Sequence, residues 1–225
     1  MLSLKIIIFN LVYATSQFPF GLWYRSYLLQ KRLSHALFGT PIENIVPVLR
    51  RFDYSLCIDG FFHSGNSFIE SNIAEGRARV LTHCHRAWAI RLSVRHKVPI
   101  LVLIRQPQDV ALSLYYRRLA DARIYGVNPI YPITVLFMWY CYHRTVLQYR
   151  KHLTIIPFPV LTGDYNHVAR IVARHDGIRL QSRPRYNGMN RFDGERPEVR
   201  FSWLSRFLLR RCAALYNTLV PSKPV

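Results

Sequence analysis

The chain has 225 residues, half of them hydrophobic and 14% aromatic, enough for one well-filled core and too apolar for a disordered segment. Thirty-one Lys and Arg against twelve Asp and Glu give a net charge of +19, which attracts anionic partners such as nucleotides, nucleic acids, acidic glycans or acidic lipids. The four cysteines, Cys57, Cys84, Cys141 and Cys212, form no C-x-x-C pair and no framework spacing, which fits free thiols in a reducing, cytoplasmic setting.

Residues 1 to 50 read as a helical lead-in, with loops at Pro41 and Pro47. An uncharged run follows Lys5, but only residues 6 to 14 of it are strongly apolar, which is short for a membrane helix. A packed or surface-lying helix ranks above a spanning one, and Trp23, Tyr24 and Arg25 suit contact with a membrane surface. Residues 51 to 225 then read as one α/β domain.

The run at 54–59, "YSLCID", predicts a buried strand ending at Gly60. Residues 66–76 predict a helix stopped by Gly76, and 79–83, "RVLTH", a second short strand. Residues 86–97 have helical spacing. "PILVLIR" (99–105) is a continuous branched strand, and Pro107 opens the next helix, since proline suits a first helical turn. A long helix over 132–152 and a strand over 153–160 follow. A helix over 164–177 has an Asp cap and a Gly stop. Residues 181–197 read as an Arg- and Pro-rich loop, and 199–220 as a basic amphipathic helix. Short apolar strands alternating with helices predict a central, mainly parallel sheet covered on both faces, a three-layer α/β/α architecture. Ligands of such sheets sit at the carboxyl ends of the strands, where His63, His83 and Arg105 fall.

Three elements there carry chemistry. The loop "GFFHSGNS" (60–67) has Gly-x-x-x-x-Gly-x-Ser spacing, with Asn66 where a nucleotide-hydrolysing loop has lysine. Its N–H groups at Ser64, Gly65, Asn66 and Ser67 are candidates to face a phosphate, helped by the following helix dipole. At the third strand, Arg105 and Ser113 can clamp a second phosphate. The alternative pairs Arg105 with Asp109 and bonds Ser113 to a helical carbonyl. At the second strand, His83 is a candidate base. His83 and His85 also read as metal ligands, but no third ligand has suitable spacing, so no metal is expected.

Together these elements resemble the sulfotransferase superfamily over roughly residues 53 to 180. Phe62 to Phe68 resembles its 5′-phosphosulfate loop, Leu81-Thr82-His83 its Lys-Thr-His segment, and Arg105, Pro107, Asp109 and Ser113 its Arg-x-Pro-x-Asp-x-x-x-Ser motif. In that loop the basic residue precedes the second glycine by two positions and Asn is accepted after it, so the absent lysine speaks against NTP hydrolysis and not against phosphate binding. The resemblance looks closest to a short bacterial branch. It implies a P-loop-type, sulfotransferase-like fold that takes 3′-phosphoadenosine 5′-phosphosulfate without a metal. The sulfuryl group would pass to a hydroxyl or amine of an acceptor, a glycan or a lipid. It further implies His83 as base, protonated His63 as charge stabiliser, and His63, Ser64, Gly65, Asn66, Ser67, Phe68, Arg105 and Ser113 as donor-binding residues. The sequence departs from the pattern at His63, Leu81 and Phe68, and lacks the family's C-terminal Arg-Lys-Gly motif; Arg183, Arg185 or Arg191 are possible substitutes. The departures also suit a catalytically weakened nucleotide-binding or interaction protein. No recognised nucleic-acid motif is present, so no specific nucleic acid is expected as a partner.

Overall fold

The computed structural model describes residues 7, 10, 11, 54–82, 84–125, 130–175, 177–185 and 198–220, with side chains of 122–125 excepted. The lead-in expected over 1–50 therefore lies almost wholly outside the described residues, as do His83 and Arg191.

Four parallel strands make the central sheet: β1 (Leu56–Gly60), β3 (Val80–Thr82), β4 (Ile100–Ile104) and β5 (Thr154–Pro157), in the order β3-β1-β4-β5. Register runs Leu56 to Val80 on one side of β1 and Cys57 to Ile100 on the other. The inner strands are buried throughout, as a sheet covered on both faces requires. Alternate residues feed two cores. Cys57, Ile100, Val102 and Ile104 face α2 (Ala87–Arg95), α3 (Pro107–Tyr125), α4 (Pro132–Gln148) and α7 (Trp203–Leu219). Leu56, Ile58, Leu101 and Leu103 face α1 (Asn66–Ser71), α5 (Phe158–Gly163) and α6 (Tyr165–Val172). The protein is thus α/β, with helices on both faces of a parallel sheet.

Two elements differ from the sequence expectation. The helix expected over 66–76 ends at Ser71, and Ile73–Glu75 forms β2, paired antiparallel with β6 (Arg179–Leu180). Asn72 makes the break. Its Oδ1 accepts from Arg185 N at 2.7 Å, and its Nδ2 donates to Phe68 O at 2.7 Å. The apolar run 153–160 holds strand only to Pro157, and Phe158 begins α5, because Pro159 suits a first helical turn. The helix expected over 164–177 ends at Val172, so Gly177 is not its stop, and the loop expected over 181–197 is described only to Arg185; the other expected elements end within about four residues of their observed bounds. Asp164 caps α6 by accepting from His167 N at 3.0 Å. All four cysteines are free thiols, with Cys57 and Cys212 buried.

Candidate functional site

The loop after β1 leads to α1 on one face of the sheet, and the loop after β4 leads to α3 on the other. Adjacent strands whose exits diverge leave a crevice at their carboxyl ends. The Gly60–Asn66 turn lies there. Gly60 is fixed by close approach, since a Cβ would meet Leu103 O at 2.5 Å. Gly65 has φ 105°, a conformation that favours glycine, and a Cβ there would meet Leu161 Cδ2 at 2.5 Å.

Arg105 and Ser113 both reach this turn. His63 Nδ1 and Ser113 Oγ are 2.8 Å apart across 50 residues of sequence. Arg105 Nη1 donates to His63 O at 3.2 Å, and its guanidinium lies 4.6 Å from the Phe158 ring centroid. Thus Ser113 and Arg105 contact the loop, while Asp109 is exposed on α3. Arg105 Nε and Ser64 Oγ are buried without a hydrogen-bond partner, an arrangement normally avoided unless a ligand or water meets the group. The Arg105 guanidinium beside the turn suits an anion.

The loop's other groups divide. Ser64 N donates to Phe61 O at 3.1 Å, so it is turned inward and does not face a phosphate as expected. The first bond of α1 is Ile69 N to Gly65 O, which leaves the N–H groups of Gly65, Asn66 and Ser67 ahead of the helical ladder. With six residues in α1, the helix dipole adds less than a full-length helix would. Ser67 is exposed at the rim. Phe68 packs edge-on to Tyr165 at 5.8 Å, beside the second core. Arg183 and Arg185 are exposed, and line an open groove with Glu75 and Arg179 beyond the far end of α1.

His63 sits in left-handed backbone, φ 58°. Burial, then the charges of Arg117, Arg105 and Arg118, push its imidazole down to about 4. Near pH 7 the ring is neutral. The free site thus disfavours the cationic His63 that the resemblance implies, because burial first and then each nearby arginine oppose its charge.

Beneath the loop lies a cluster that the motif reading did not use. Asp59 is fully buried at the end of β1. Its Oδ1 accepts from His85 N at 3.0 Å, and Tyr142 OH donates to Oδ2 at 3.4 Å. His85 Nδ1 lies 2.8 Å from Gly60 O, and Asn66 Nδ2 donates to the same carbonyl at 2.9 Å. Asn66, expected to bind the donor, thus holds the two ends of the loop together through its side chain. Desolvation pushes the Asp59 carboxyl up to about 7. A charged residue closing an otherwise apolar strand is the one signal in the sequence that could have marked this cluster. Among the described residues no group of three His, Cys, Asp or Glu side chains is placed to hold a metal ion.

No protein-family model, no curated protein and no solved structure matches this chain.

Proposed function

We propose that the chain is a P-loop-type, sulfotransferase-like enzyme. In this reading it binds 3′-phosphoadenosine 5′-phosphosulfate and transfers its sulfuryl group to a hydroxyl or amine of a glycan or lipid acceptor. The observation that carries this reading is the meeting of Arg105 and Ser113 with the Gly60–Asn66 turn, at 3.2 Å and 2.8 Å. Two motifs far apart in sequence thereby line one crevice, which in this reading takes the donor's phosphates.

Arg105 and Ser113 hold the 3′-phosphate and fix the nucleotide's register. The N–H groups of Gly65, Asn66 and Ser67, with the Ser67 hydroxyl, hold the 5′ side and stabilise the charge left on the departing phosphate. His83 takes the proton of the acceptor hydroxyl as the acceptor oxygen–sulfur bond forms and the sulfur–phosphate-oxygen bond breaks. His63 enters neutral and acquires a proton only under the field of the bound phosphates.

One observation favours a second reading, a nucleotide-binding protein with weak catalysis. The neutral His63 supplies less charge stabilisation than the lysine or arginine found there in the family. Donor labelled with ³⁵S in the sulfuryl group separates the two. Incubated with glycan and lipid extracts, the protein is expected to transfer label, and His83→Ala to lower transfer roughly 10²- to 10⁴-fold. Undiminished transfer by His83→Ala would remove the assigned base. Nucleotide binding without any transfer would establish the second reading.

A further inference from the structure

Among the described residues, the exposed large hydrophobic side chains are Ile7, Leu11, Trp203, Leu204 and Phe207. They come from the two ends of the chain, and the helix packing brings them to one end of the molecule. Asn10 Oδ1 accepts from Tyr131 N at 3.0 Å and from Thr134 Oγ1 at 2.9 Å, which pins Asn10 at the start of α4. Cys212 of α7 contacts Leu136 O at 3.4 Å, near that same start, while Thr218 O meets Arg150 just past the other end of α4. The two helices therefore run in the same direction. At 1.5 Å per residue, Trp203 to about Phe207 of α7 extend past the beginning of α4, the end at which Asn10 is held.

The exposed face of α7 carries charge of one sign. Trp203, Phe207 and Arg210 recur at three- and four-residue spacing, with Arg206 and Arg211 beside them, all exposed. The Arg211 guanidinium lies 5.6 Å from the Phe207 ring centroid. No Asp or Glu occurs from residue 199 to residue 225. Ser205, Cys212, Leu215, Tyr216 and Leu219 occupy the opposite, buried face, so the exposed aromatics are not needed for packing. Among the described residues no helix is long and apolar enough to cross a membrane.

We infer that this end of the molecule is a docking face for an anionic bilayer surface. Trp203, Leu204 and Phe207, with Ile7 and Leu11, enter the headgroup–acyl boundary, while Arg206, Arg210 and Arg211 meet lipid phosphates. Aromatic side chains suit that boundary, and arginines on a flanking stripe supply the attraction to anionic lipid. The inference stands apart from the donor site and does not depend on it.

The full chain is to be cosedimented with vesicles of phosphatidylcholine alone and of phosphatidylcholine mixed with phosphatidylglycerol. Binding is expected to the anionic vesicles only, and to weaken as salt rises. Trp203→Ser with Phe207→Ser, and separately Arg206→Gln with Arg210→Gln, are each expected to lower binding by on the order of tenfold or more, without moving the unfolding midpoint. Unchanged vesicle binding in both double variants would overturn the inference. So would a dimer in sedimentation velocity that Trp203→Ser with Phe207→Ser dissociates while vesicles go unbound, since the face would then belong to a second copy. Salt-sensitive RNA binding by a chain that ignores anionic vesicles would overturn it equally.

Discussion

Asp59→Asn isolates the electrostatic strain beneath the loop. The Asp59 carboxyl is fully buried, and desolvation lifts it from 3.8 to about 7 despite the hydrogen bonds from His85 N and Tyr142 OH. Its folded value exceeds its unfolded one, so its favourable contribution is full below pH 3.8 and is lost as pH rises through about 7. A shift of that size corresponds to roughly 4 kcal/mol. His63 and His143 act in the opposite sense, because burial lowers them to about 4 and about 3, so their contribution is lost as pH falls. The wild-type profile therefore mixes opposing slopes, whereas the difference between wild type and Asp59→Asn cancels the histidines. An asparagine keeps the acceptor for His85 N and removes the charge. Urea unfolding of both proteins from pH 4 to pH 8, at constant m, is expected to show the variant gaining about 4 kcal/mol relative to wild type as pH rises. A pH-independent difference would refute the reasoning, for it would mean that Asp59 ionises in the folded protein as readily as in water.

Gly65→Ala places a Cβ 2.5 Å from Leu161 Cδ2 at a backbone φ of 105°. Destabilisation of about 1–3 kcal/mol is expected in thermal or urea unfolding, and a neutral result would mean the turn does not hold that conformation. Binding of adenosine 3′,5′-bisphosphate is expected to draw a proton onto His63 as the bound phosphates counter the arginines. Calorimetry in buffers of differing ionisation enthalpy should show proton uptake by wild type that is missing in His63→Asn; equal uptake in both would place the proton elsewhere.

The sheet was largely legible because its strands are continuous apolar runs cut off by Gly60, Pro99 and Arg105, and burial on both faces demands such runs. The two misread elements failed for physical reasons that no local pattern holds. Ile73–Glu75 is strand because its partner, Arg179–Leu180, lies over one hundred residues on, and because the Asn72 amide ties to the backbone of Arg185. Phe158 to Gly163 is as apolar as the strand before it, so composition alone gave no boundary. At the site, the motif spacing identified the loop and the arginine–serine pair that meet in space. It did not show how far His63 is held neutral, which follows first from burial and then from the charges of Arg117, Arg105 and Arg118. It also missed the joint work of Asp59, His85, Asn66 and Tyr142, which lie on four separate segments. The amphipathic pattern over 199–220 also did not show which apolar residues stay outside: Phe201 and Leu208 pack partly on the core, while Trp203, Leu204 and Phe207 are exposed.

Calorimetric titration of the purified protein with adenosine 3′,5′-bisphosphate, beside ATP with Mg²⁺ and an Arg105→Ala control, tests the donor site most directly. The account predicts bisphosphate binding at about micromolar affinity, absent in Arg105→Ala, and no comparable binding of ATP with Mg²⁺. Folded protein that ignores the bisphosphate, or an Arg105→Ala variant that binds it as tightly as wild type, would contradict it.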